Sequence, residues 1–317
     1  MQAIWLENNQ ISIRDIPVPA PPANEALIRV RLAGICATDL ELVKGYYPYA
    51  GVLGHEFVGE IVEAPDAPER VGQRVVGEIN AVCGICETCK RGNSTHCENR
   101  TVLGIINRNG VFAEYTALPL VNLHPVPYSV PDQLAVFTEP LAAALEIQEQ
   151  VLIKPTDQIL VVGAGRLGQL IAYTLKLTGC GLQVVARYES QCDLLRESGI
   201  PCLGEDEVPE RKMDMVVEVT GSPAGFALAR KAVRPRGTIV LKSTYAGKLE
   251  ADFSAVVVDE ITLVGSRCGP FERALRMLRD EMVDLYPLIN ANYPLREGIA
   301  AFEKASQPGV FKVLVRP

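Results

Sequence analysis

The chain has 317 residues, 31 basic against 38 acidic side chains for a net charge of −7, and a mean hydropathy of +0.14. That length exceeds one ordinary hydrophobic core and suits two domains of roughly 100–200 residues each. No block of like charge offers a nucleic-acid footprint, and no uninterrupted apolar run reaches the ~18 residues of a membrane span, so neither nucleic acid nor membrane is expected as a partner.

The opening MQAIWLENNQ has neither the basic start nor the apolar core of a secretory signal, so a cytoplasmic location is expected. The first 140 or so residues read as short strands separated by Gly and Pro turns, at 26–35, 54–64, 70–78 and 111–118. PVPAPPANE (17–25) excludes helix and central strand. This texture predicts a β-rich, partly closed barrel. From about residue 140 it changes. A helix over 140–152 leads to strands at 158–163, 182–186, 214–219, 238–243 and 261–266, with helical stretches between them. Strands alternating with helices predict βαβ units and a doubly wound parallel sheet. FERALRMLRDEMVD (271–284) predicts an amphipathic helix burying Ala274, Leu275, Leu278 and Met282, and the closing VFKVLVRP (310–317) predicts a strand that returns to the first domain.

GAGRLG (163–168) follows the strand QILVV and opens a helix, which is the context a dinucleotide-binding G-x-G-x-x-G requires. Gly163 allows the tight turn, Gly165 lets backbone approach a pyrophosphate, and Gly168 lets helix and strand pack closely. Arg166 and Leu167 stand at the helix start, whose free N–H groups and partial positive charge favour phosphate. At the end of the second strand, where an NAD site carries an acid for the ribose hydroxyls, VVARYES places Arg187. A guanidinium pairs with a 2′-phosphate, so NADP is preferred and NAD remains possible. The alternative has Arg187 in solvent and Glu189 on the ribose.

Four cysteines crowd CGICETCKRGNSTHC (83–97). Cytoplasmic thiols stay reduced, so Cys83, Cys86, Cys89 and Cys97 read as metal ligands rather than a disulfide framework. Four thiolates close a tetrahedral Zn²⁺ site that is structural, with no position left for a substrate. An iron–sulfur cluster is the minor alternative. A second site is suggested by Cys36 in GICATD and His55 in GHE, which with a carboxylate would leave zinc an open position. On periodicity alone Cys36 reads as a small buried residue and His55 as a satisfied turn histidine.

GICATD, GHEFVGEI, the four-cysteine loop, TEPLA (138–142) and GAGRLG, in that order, resemble the zinc-dependent medium-chain dehydrogenases, a family that includes alcohol, sorbitol, threonine and glucose dehydrogenases. GVFAEY (110–115), EVTGSP (218–223) and FKVLV extend the resemblance over essentially the whole chain. It implies a GroES-like β-rich catalytic domain over 1–140, completed by 269–317, with an inserted Rossmann coenzyme domain over 141–268. It further implies Cys36 and His55 as catalytic zinc ligands and Glu139 as the third, as in the polyol and sugar branch. Glu56 is then either a direct ligand or one that exchanges with water and Glu139. Thr38 matches the hydroxyl that takes the substrate proton, and Asp39 anchors the loop. Glu41 stands where several relatives carry a relay histidine, which leaves proton exit through Glu41, coenzyme ribose or water. Tyr46, Tyr47 and Tyr49 either line the substrate site or pack on the barrel. The implied activity is zinc-dependent hydride transfer between NADP(H) and a secondary alcohol, polyol or sugar, in a homodimer or homotetramer. A metal-free quinone or enoyl reductase and a non-catalytic nucleotide sensor are the competing readings.

Overall fold

Two asparagines close the first hairpin. Asn8 and Asn9 both adopt positive φ, 50° and 59°, the left-handed geometry that a tight two-residue turn demands and asparagine tolerates. They join β1 (Gln2–Glu7) to β2 (Gln10–Asp15), a hairpin that the sequence reading did not single out. The computed structural model describes residues 1–244 and 249–317, and the chain divides into two compact units. Met1–Glu139 with Phe271–Pro317 form one, and Pro140–Pro270 the other.

The first unit is built on β3 (Glu25–Gly34), α1 (Ala37–Val43), β4 (Glu56–Glu63), β5 (Arg74–Gly77), β6 (Tyr115–Pro119) and β7 (Leu123–Pro125). The second unit takes over within α2 (Thr138–Gln150). Its elements are β8 (Gln158–Val162), α3 (Arg166–Lys176), β9 (Gly181–Val185), α4 (Glu189–Glu197), β10 (Cys202–Leu203), β11 (Met213–Glu218), α5 (Pro223–Ala232), β12 (Val233–Leu241), α6 (Phe253–Val258) and β13 (Thr262–Gly265). The chain then returns to the first unit through α7 (Phe271–Arg279), β14 (Ile289–Pro294), α8 (Gly298–Ala305) and β15 (Lys312–Arg316).

In the first unit a seven-stranded sheet runs β7-β5-β4-β3-β15-β14, with β6 also paired to β3. The last strand therefore lies inside the sheet, beside β3, where Leu314 faces Gly34. Gly34 in turn faces Glu56 across β3 and β4. Register alone thus brings the start of the polar motif at 54–56 and the C-terminal strand to one place. Ile28, Ile61, Phe112, Phe137 and Leu314 fill the interior there.

Two expectations need correction. Of the strand expected over 111–118, only the part from Tyr115 is ladder; Val111–Ala113 is buried connection tied by loop hydrogen bonds such as Phe112 N to Leu53 O at 2.9 Å. The helix expected over 271–284 ends at Arg279. Glu281 turns left-handed at φ 51°, which stops the helix, and Met282 is left 48% exposed instead of joining the buried face.

In the second unit six strands are all parallel in the order β10-β9-β8-β11-β12-β13. The order doubles back at β8, and such reversals place ligands at the carboxyl ends of the strands. Leu160, Val162, Val216 and Ile239 pack with Ala229, Ala232 and Val233 from the α5–β12 crossover. Among the described residues, no helix is long and apolar enough to cross a membrane.

Candidate active site

Cys36 sits just ahead of α1, where its backbone N–H donates to Asp39 Oδ2 at 2.8 Å. The other oxygen of Asp39 accepts from Gly54 N at 3.2 Å and lies 3.4 Å from His55 Nδ1. One fully buried carboxylate therefore ties the Cys36 loop to the His55 loop and lies beside the imidazole, the place a carboxylate takes behind a metal-binding histidine. Ligand atoms of Cys36, His55 and Glu56 all lie within 4.8 Å of one another. Burial works to lower the His55 pKa, but Asp39 and Cys36 outweigh it and hold the metal-free imidazole well above its usual value. A cation-seeking thiol, imidazole and carboxylate in one buried spot fit a zinc ion, and three such ligands leave a fourth position for water or substrate.

Thr38 Oγ1 stands 3.8 Å from Cys36 Sγ, adjacent to this cluster. Glu41, on the outer side of α1, pairs with Lys44 at 2.8 Å near solvent. Glu139 occupies the first turn of α2, half-buried, and is not one of the three clustered residues. Glu56 is instead engaged by Lys312 from β15. Of the three tyrosines, Tyr49 packs within the first unit: its hydroxyl donates to Val52 O at 2.7 Å, and burial raises its pKa. Tyr46 and Tyr47 are exposed.

The four-cysteine loop also meets the requirements of a metal. Cys97 Sγ is 3.5 Å from Cys83 Sγ and 3.9 Å from Cys86 Sγ. Sulfurs at the corners of a tetrahedron with Zn–S of about 2.3 Å lie about 3.8 Å apart. Backbone N–H groups of Ile85 and Cys86 hold the Cys83 thiol down to about 6, and those of Cys89 and Glu98 lower Cys86. Desolvation and neighbouring thiols push Cys89 up to about 12, the expected penalty for crowding four sulfurs without a cation. His96 is exposed and outside the group. Elsewhere the expectation of reduced thiols is corrected, since Cys192 and Cys202 form a disulfide that ties α4 to β10.

At the carboxyl end of the parallel sheet a cavity of about 200 Å³ is lined by Gly163, Gly165, Arg187, Gln191, Glu205 and Thr220, among others. Gly163 adopts φ +113°, and a Cβ on Gly168 would meet Gly163 O at 2.0 Å, so turn and helix pack through bare backbone. A Cβ on Gly165 would meet nothing within 4 Å. That open space at the N-terminus of α3 fits a pyrophosphate. Glu189 pairs with Arg196, while Arg187 lines the cavity. Glu205 was missed by the sequence reading; it belongs to GEDE, after the short third strand β10, and only the parallel pairing of β9 with β10 brings it here.

The N-terminal part, residues 22–128, matches the alcohol dehydrogenase GroES-like domain. An L-threonine 3-dehydrogenase from Pyrococcus abyssi is 30% identical, covering 92% of this chain and 89% of the relative. The chain belongs to the zinc-dependent medium-chain dehydrogenase family. A sorbitol dehydrogenase from Halalkalibacterium halodurans is 29% identical over 96% of this chain and 95% of its own length. A solved zinc-binding dehydrogenase from Sinorhizobium meliloti 1021, bound to NADP, superposes with a TM-score of 0.92 at 27% identity, covering 100% of this chain and 99% of the other. This family member is a dehydrogenase, an oxidoreductase with a GroES-like unit and a Rossmann unit.

Proposed function

We propose that this dehydrogenase transfers a hydride between NADP(H) and a secondary alcohol, polyol or sugar, with one catalytic and one structural zinc ion. The observation that carries the reading is the buried convergence of Cys36, His55 and Glu56 beside Thr38, separate from the four thiols at 83–97. Zinc, when bound, supplies a Lewis acid that makes an alcohol easier to deprotonate. Cys36 and His55 would hold it, with Glu56 as the third ligand or exchanging with Glu139. Cys83, Cys86, Cys89 and Cys97 would hold the structural ion.

Thr38 moves the proton outward from the substrate hydroxyl. Asp39 keeps His55 in one orientation, so that the ligand geometry survives turnover. Gly163 and Gly165 from the cavity lining, with Arg166, Leu167 and Gly168 at the start of α3, would seat the coenzyme pyrophosphate, and Arg187 would attract a 2′-phosphate. The polyol and sugar preference rests on Glu139 in TEPLA and on the sorbitol dehydrogenase relative.

The test is initial rates with NADP⁺ and NAD⁺ over secondary alcohols, polyols and aldoses, using zinc-loaded protein and its Cys36→Ser variant. Turnover that disappears in the variant is expected. Full turnover in Cys36→Ser would overturn the zinc chemistry.

A further inference from the structure

The coenzyme cavity carries one cation and one carboxylate on its wall. Among the described residues that line it, Arg187 is the only basic side chain and Glu205 the only acidic one. They face each other, Arg187 Nε to Glu205 Oε1 at 3.5 Å, and both are substantially exposed, 64% and 47%. Of the neighbouring acids, Glu189 bonds Arg196, and Glu207 accepts from Gly204 N at 2.7 Å.

Glu205 is held in place by more than this exposed pair. β10 is laddered to β9 through Val184 with Cys202 and Val185 with Leu203, and the turn containing Glu205 begins directly after it. The Cys192–Cys202 disulfide fastens β10 to α4, immediately after Gln191, which also lines the cavity. Linked elements thus place a guanidinium and a carboxylate on the lining of one cavity.

We propose that Glu205 is a specificity-determining residue that opposes Arg187 in the choice of coenzyme. It rests on the reading that this cavity takes a dinucleotide. A 2′-phosphate drawn to Arg187 enters the field of the Glu205 carboxylate and must also break the existing pair. A 2′-hydroxyl has no such penalty, because a carboxylate accepts its hydrogen bond. The two side chains together make the enzyme accept both coenzymes, with Glu205 limiting the preference for NADP that Arg187 alone would confer.

The experiment is calorimetric titration of the full-length zinc-loaded enzyme with NADP⁺ and with NAD⁺, for the unmodified chain, Glu205→Gln, Glu205→Asp and Arg187→Ala. Glu205→Gln is expected to raise the ratio of NADP⁺ to NAD⁺ affinity roughly tenfold, about 1.4 kcal/mol, with the gain shrinking at high salt. Glu205→Asp keeps the charge and should keep the ratio close to that of the unmodified chain. Arg187→Ala should move the ratio the other way. Equal shifts for both coenzymes in Glu205→Gln, or none, overturn the role of Glu205 while leaving the dinucleotide site intact. Absence of binding by either coenzyme to the unmodified chain overturns the dinucleotide reading and this proposal with it.

Discussion

Lys312 Nζ donates to Glu56 Oε2 in the interior of the first unit, with both side chains almost fully buried. The lysine comes from the C-terminal strand and also lies 5.3 Å over the ring of Phe137. Gly34 makes room for the pair, since a Cβ there would stand 2.8 Å from Glu56 Oε2 and 3.1 Å from Lys312 Cδ. An ammonium and a carboxylate taken out of water are tolerable only together. In protein stripped of zinc, which would otherwise also offset the Glu56 charge, Lys312→Met should therefore destabilise the fold by on the order of 3–5 kcal/mol, through an unpaired buried charge. Adding Glu56→Gln should restore much of that loss. Denaturant midpoints for both single variants and the double variant check the coupling. A single-variant cost no larger than that of an exposed pair would show that the contact does not hold the fold.

The two glycines of the coenzyme turn should separate binding from folding. A Cβ at Gly165 meets only open space, so Gly165→Ala should leave stability within about 0.5 kcal/mol. The same methyl would occupy the space a pyrophosphate needs, and dinucleotide affinity should fall by tenfold or more, roughly 1.4 kcal/mol. Gly168→Ala drives its Cβ to 2.0 Å from Gly163 O and should destabilise by more than about 1 kcal/mol. Thermal unfolding with and without NADP⁺ distinguishes the two. If Gly165→Ala bound coenzyme normally, the turn would not be its seat.

Much of this was legible because the informative signals are local. Strand, glycine turn and helix are contiguous over 158–176, and four cysteines within one loop need no knowledge of tertiary structure. The return of the last strand was legible as well, but its exact place beside β3 depends on long-range pairing. So does the Lys312 contact, which joins a motif near residue 55 to the far end of the chain. Glu205 was invisible for the same reason: nothing near GEDE announces a ribose, and only the β9–β10 ladder aligns it with Arg187. Met282 failed differently. Its spacing suits a helix that Glu281 ends by turning left-handed.

The two cysteine-containing clusters should respond differently to loss of a ligand. Cys89→Ser removes one thiol from a closed four-sulfur set, and the protein should then carry one zinc fewer and unfold at lower temperature. A site that binds only the folded state contributes about 2.7 kcal/mol when free metal is at about 100 times Kd. Cys36→Ser should also lose one zinc, with a smaller effect on unfolding because Asp39 still ties its loop to Gly54 at 3.2 Å. Metal content by elemental analysis, paired with unfolding temperature, checks both. Equal destabilisation by the two variants would argue against one site being purely structural.

A third cluster bears on acid stability rather than chemistry. Asp259, at the end of α6, accepts two hydrogen bonds from Arg211, each 2.8 Å, and a third from Arg230 on α5. Hydrogen bonds from the two guanidiniums hold its carboxyl at about 2. An unfolded aspartate titrates at about 3.9, so the folded form binds this proton less readily than the unfolded form does. The contribution to stability is therefore fully present above that unfolded value and disappears as pH falls from about 4 toward about 2. Asp259→Asn should lower the unfolding temperature at neutral pH and flatten its decline over that acid window. Unfolding temperatures of the two proteins, measured stepwise from neutral pH downward, should converge at the acid end. Parallel curves across the whole range would mean that the clasp between α5 and α6 is not an electrostatic one.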